Sequence, residues 1–279
     1  MRHDLEGWEG PYHLSVAPRF RLVGGFAERI QRNGGVERKG DVLHPCDDWR
    51  ALSAEELSSL VAELPDPSAI LPATHLGLLE IPGRIREAWW KEAEREERSE
   101  GFERFFSALI AFFRFKKLPC PERVHLEVAV NVPGLASTRA GSLGARQGLA
   151  YLDPPSTRNG GARKALGLVN LGDEASFVVL LTSPPTTLAA RLDEAGEREA
   201  GALSPDGLVK RFFEVFPHEP LLRVCLEPGE GLWLSPYGVV HDGWTRGKRD
   251  LDVVLSVREE VAAAFSDPVQ HARPERMPG

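Results

Sequence analysis

The chain has 279 residues, 42% of them hydrophobic and 27% charged, with a formal net charge of −7, which suits one globular domain with a sizeable core, since mixed β folds reach about 200–250 residues as a single unit. The acidic balance argues against a nucleic-acid partner, which needs a basic face for phosphates. No apolar run approaches the roughly 18 residues of a membrane span and the opening MRHDLEGWEGPYH lacks an apolar leader, so the expectation is a cytoplasmic protein with no membrane partner. Cys46, Cys120 and Cys225 stand far apart with no CxxC pair, and are expected to be reduced thiols rather than a zinc site.

Taken in chain order, the first clear element is SAEELSSLVAEL, Ser53 to Leu64, where a serine three residues before Glu56 forms a capping-box start and Pro65 ends the helix. A longer helical zone runs from about Arg84 to Phe115, with a break near Ser99 to Gly101. Its Phe102, Phe105, Phe106, Leu109, Ile110 and Phe113 recur at helical spacing, a face suited to packing on a sheet. After Pro121 the pattern becomes β-rich: RVHLEVAVNV, QGLAYLD, ALGLVNL, SFVVLLT, LLRVCLE, GLWLSP and LDVVLSVR are seven short strand-like runs with Gly- and Pro-rich joints. They imply an antiparallel sandwich or barrel. The interval from about 183 to 220 holds two candidate helices, around Leu188 to Ala200 and Pro205 to Val215, read as an insertion on the barrel rim. The tail 261–279 is expected to fray.

The stretch EPGEGLWLSPYGVVHDGWTRGKRDLDVVLSVR, from Glu227 to Arg258, carries the chemistry. One apolar run reaches Val240, His241 sits at its end, Asp242 to Lys248 with Gly243 and Gly247 reads as a turn, and a second run starts after Arg249. This order of strand, histidine, glycine-containing turn, arginine and strand resembles the distal half of the iron(II)/2-oxoglutarate-dependent oxygenases. The resemblance implies an α+β protein with a double-stranded β-helix (jelly-roll, cupin-like) core over about 121–258, an N-terminal helical layer over about 50–118, and the helical insertion. It implies iron(II) and 2-oxoglutarate as cofactors, and oxidation of a C–H bond in a small-molecule or peptidyl substrate. His241 would be a metal ligand, and Arg249 would clamp the far carboxylate of 2-oxoglutarate through a bidentate, charge-assisted pair. Two histidines and one carboxylate leave iron positions open for the cosubstrate and dioxygen.

For the proximal ligands two alignments stand. His125 and Glu127 form a His-x-Glu pair on one face of a strand, because strand side chains alternate. The order of elements instead favours GLAYLDPPS, with Asp153 as the carboxylate and Tyr151 where a histidine belongs. Tyr151 and Trp244 are then pocket-wall candidates. Each residue also has a plain structural role: Asp153 as a turn initiator before two prolines, Arg249 as an exposed turn cation beside Lys248, and His241 as a hydrogen-bonded strand-end histidine. A jelly-roll that has lost a metal ligand and serves as a binding or assembly protein is the alternative function.

Overall fold

The computed structural model describes residues 13–16, 20–22, 29–40, 42–60, 75–93, 100–115, 124–138, 166–181, 183, 185–197, 203, 205–234 and 240–259. The N-terminal part contributes strands β1 (His13–Val16), β2 (Phe20–Leu22), β3 (Ile30–Arg32), β4 (Val36–Lys39), β5 (Val42–Pro45), β6 (Arg50–Ala51) and β7 (His75–Glu80), with helix α1 (Ala54–Leu60) between β6 and β7. Helices α2 (Gly83–Ala93) and α3 (Glu100–Phe115) follow, then β8 (Val124–Asn131), β9 (Leu166–Asn170) and β10 (Ser176–Leu181). Helices α4 (Pro185–Glu194) and α5 (Pro205–Val215) precede β11 (Leu221–Leu226), β12 (Glu230–Leu234), β13 (Val240–Trp244) and β14 (Asp252–Glu259). The chain is thus mixed α and β, with antiparallel sheets. The N-terminal region is more than the expected helical layer, since its strands extend both main sheets.

One sheet has seven strands in the order β2-β1-β7-β12-β9-β14-β8, and a second has five in the order β13-β10-β11-β3-β6. Alternation gives each sheet two distinct faces. On the five-stranded sheet Val179, Leu181, Leu221, Val240 and Trp244 pack with Leu188 and Leu192 of α4 and Leu208, Val209, Phe212 and Phe213 of α5. Those spacings of one, three or four residues put the apolar side chains on one stripe of each helix. The insertion is therefore a covering layer of the core and not a rim decoration. Burying Phe212 and Phe213, 0% and 1% exposed, stabilises by roughly 1.5–3 kcal/mol each.

The seven-stranded sheet is covered in the same way. Val169, Val253, Leu255 and Val257 meet Ile85 and Trp89 of α2 and Phe105 and Leu109 of α3, so the aromatic stripe packs on a sheet as its periodicity predicts. The opposite residues of the two sheets, Val178, Leu180, Leu222 and Val224 on one and Leu232 on the other, are also buried and lie outside both helix-covered clusters. They face one another between the sheets. Among the described residues, bonds cross that space: Asn170 Nδ2 of β9 donates to the Leu226 carbonyl of β11 at 2.8 Å, and Ser176 Oγ of β10 donates to Asp252 Oδ1 of β14 at 2.5 Å.

Candidate functional site at strand β13

Strand β13 forms the edge of the five-stranded sheet and pairs with β10, His241 opposite Leu180 and Trp244 opposite Phe177. His241 is 6% exposed. It shares the inward face with Val178 and Leu180, whereas Val240, Asp242 and Trp244 turn outward with Val179 and Leu181. The histidine therefore begins a strand; the expected turn at Asp242 to Lys248 starts only after Trp244. Gly243 is the reason the sequence misleads. A Cβ there would lie 2.4 Å from Thr138 Oγ1, so this glycine admits a neighbouring segment, while Gly247, at φ 82°, makes the actual reversal.

That neighbouring segment, residues 132–138, lines the outer edge of β13. Thr245 N donates to the Leu135 carbonyl at 2.9 Å and Gly134 N to the Thr245 carbonyl at 3.0 Å. Thr245 Oγ1 accepts from Leu135 N and donates to the Val132 carbonyl. The carboxylate of Asp242, also 6% exposed, accepts from Ser137 Oγ, from its neighbour Gly243 N at 2.7 Å, and from Thr138 Oγ1 at a long 3.4 Å. A buried carboxylate needs such donors. Asp242 thus has a local structural employment, on the face opposite His241.

In the turn between β13 and β14 it is Lys248, and not Arg249, whose side chain is buried. The Lys248 side chain is 2% exposed and its ammonium bonds Asp252 Oδ1 at 2.9 Å and the Ala175 carbonyl at 2.9 Å. Asn131 Nδ2 donates to the other oxygen of Asp252 at 3.2 Å. Arg249, in contrast, has a side chain 87% exposed and pairs with Glu174 Oε1 at 3.1 Å. Glu174 also accepts the backbone N–H groups of Asp250 and Arg249, which, led by Asp250, hold its carboxyl down to about 2. Arg249 stands at the Glu174 end of β10 while His241 pairs with Leu180; the strand between, from Ser176 to Leu180, spans about 13 Å. The structure does not bring Arg249 to His241.

The remaining predicted residues separate similarly. Trp244 is 1% exposed and packs edge-on to Trp49 at 5.5 Å, on the outward face, so it does not line the inter-sheet space that His241 faces. Glu127 is exposed on β8, opposite Ser256 in register. His125 pairs in register with Arg258; Asp153 and Tyr151 lie outside the described residues. Sequence reasoning missed Ser256. Its hydroxyl is buried on the inward face of β14 with no hydrogen-bond partner among the described residues. The signal available was its parity with Asp252 in an alternating strand. Among the described residues no group of three histidine, cysteine, aspartate or glutamate side chains could hold a metal ion, so they supply His241 as one candidate ligand and not a complete set. No helix among them is long and apolar enough to cross a membrane.

No family model matches the chain, and no curated protein matches it. Among solved structures the chain is similar to apo HygX from Streptomyces hygroscopicus, at 13% identity and a TM-score of 0.36, over 66% of this chain and 80% of that one; no family assignment follows from an overlap of that kind.

Proposed function

We propose that the two facing sheets form a double-stranded β-helix and that the protein is an oxygenase of the iron(II)/2-oxoglutarate type, acting on a C–H bond of a small-molecule or peptidyl substrate. The observation that carries this reading is the interleaving of strands: β8, β14, β9 and β12 are neighbours in one sheet and β13, β10 and β11 in the other, which sets a buried histidine facing inward at the start of β13. His241 would hold the metal, completed by Asp153 or by His125 and Glu127. Bound iron(II) supplies dioxygen activation coupled to oxidation of the 2-oxo acid. For the cosubstrate carboxylate, the exposed Arg249 is a poor support and β14 a better one. Its Ser256 hydroxyl lacks a partner among the described residues, and Arg258 stands two positions further along the same strand.

The test is anaerobic titration of the protein with iron(II) and 2-oxoglutarate, followed by the visible charge-transfer band of the ternary complex. The band is expected in the wild type and absent in His241→Ala. Arg258→Gln should weaken 2-oxoglutarate binding roughly 100-fold, about 2.7 kcal/mol, with Arg249→Gln near wild type. A band that survives His241→Ala removes that residue from the ligand set. A second reading, a jelly-roll binding or assembly protein without redox chemistry, is favoured by Tyr151 standing where the resemblance requires a histidine; no band at saturating concentrations would establish it over the first.

A further inference from the structure

The outward face of the five-stranded sheet has two halves. Helices α4 and α5 cover one half, around Leu181, Leu221 and Val240, in a buried cluster that continues through Trp244 to Trp49 and Phe177 in the other. The other half carries an arginine among rings: the Arg223 guanidinium lies 4.6 Å from the centres of both Trp49 and Phe177 and 5.8 Å from that of Trp244. Gln31 Oε1 accepts from its Nε at 3.0 Å and from its Nη2. Among the described residues no carboxylate forms an ion pair with Arg223; burial lowers its pKa, against the opposing charge of Asp47. A second cation, Arg246, sits 5.4 Å over the Trp244 ring, and its carboxylate neighbour, Asp47, is 3.7 Å away and 58% exposed. The indole N–H groups of Trp49 and Trp244 are buried without an acceptor among the described residues.

The cluster is therefore rich in donors and positive charge and short of acceptors. Buried donors and cations are ordinarily matched. The rings offset part of the cost of Arg223 through cation–π attraction, but they accept no hydrogen bond from the indoles. An anion with several oxygens would supply those acceptors, and the exposed Asp47, at the long limit of an ion pair, is the group such an anion would displace from Arg246. We infer that Arg223, Arg246, Trp49 and Trp244 form a binding site for an oxyanion, a phosphate or carboxylate group, on the face of β13 opposite His241. The site is independent of the iron reading, since no residue of it faces the inter-sheet space.

Titration of the metal-free protein with inorganic phosphate and, separately, with acetate, at ionic strength held constant with sodium chloride, tests the inference through the indole N–H resonances. The chain has six tryptophans; two resonances are expected to shift saturably, and Trp49→Phe and Trp244→Phe each remove one of the pair. A response to phosphate alone identifies a phosphate site, a response to both a general oxyanion site, and either supports the inference. Arg246→Gln should weaken binding about tenfold through loss of a charge-assisted bond. Asp47→Asn should strengthen it several-fold by removing the competing carboxylate, an effect that a purely structural cluster would not produce. Absence of any shift beyond the sodium chloride control, or wild-type affinity in both Arg246→Gln and Asp47→Asn, would overturn it.

Discussion

Lys248 lies in a turn, yet its ammonium reaches into the space at the end of the two sheets, where Asp252, Ser176 and two backbone carbonyls surround it. An ammonium so placed is stable only while its partners remain, because removing one member leaves a buried charge uncompensated. Lys248→Met should therefore destabilise by about 3–5 kcal/mol, read as a lower urea midpoint with an unchanged slope. Adding Asp252→Leu to that variant should recover part of the loss. Arg249→Gln, one residue on, should leave the midpoint nearly unchanged, since an exposed pair contributes little. Equal midpoints for Lys248→Met and Arg249→Gln would contradict the buried pair. Two adjacent cations thus differ because the turn sends one side chain under the sheet edge and the other into solvent, a choice that local composition does not encode.

At the scale of elements, β13 exists as a strand because it has partners on both sides, β10 through a regular ladder and residues 132–138 through bonds at Gly134, Leu135 and Thr245. Its polar HDG core would otherwise favour a turn. Gly243 permits the close approach of Thr138. Gly243→Ala should cost about 1–3 kcal/mol by overpacking and speed amide exchange at Thr245, measured by thermal melting and native-state hydrogen exchange. Thr138→Ala in the same chain removes the Oγ1 and Cγ2 atoms that a new Cβ would meet at 2.4 and 2.7 Å, and should restore most of the loss. Helix α1 illustrates the opposite case. Ser53 Oγ accepts from Glu56 N at 3.2 Å and Glu56 Oε2 accepts from Ser53 N at 2.7 Å, a reciprocal cap that the four residues alone specify.

Across the whole molecule, two helical layers enclose two sheets, α2 and α3 on one side and α4 and α5 on the other. The α4 and α5 segment lies between consecutive strands of one sheet, β10 and β11, which pair directly, so chain connectivity alone would allow its replacement by a short loop. Packing forbids it. Replacing residues 184–218 by a tight turn would expose Val179, Leu181, Leu221, Val240 and Trp244, each now at most 2% exposed, and the shortened chain should be insoluble or lack near-ultraviolet circular dichroism. A soluble variant with a cooperative melt would show that the segment is peripheral after all.

By itself the sequence determined what short-range patterns can carry: the stripe of α3, the alternation of β8 and β14, the apolar run of β10, the reciprocal cap of α1 and the helices within the insertion. Each depends on residues a few positions apart, whose directions follow from 3.6-fold or twofold repeats. Tertiary structure decided the rest of the site. It made Val240–Trp244 a strand, turned His241 inward and Trp244 outward, buried Lys248 and exposed Arg249, and buried Ser256 between the sheets with no partner among the described residues. Those outcomes rest on partners remote in sequence: Leu180 opposite His241, Thr138 against Gly243, Ser176 and Asn131 around Asp252. No local pattern specifies which distant backbone will supply a ladder or which carboxylate will meet a cation, because that is set by the sheet order into which the whole chain closes.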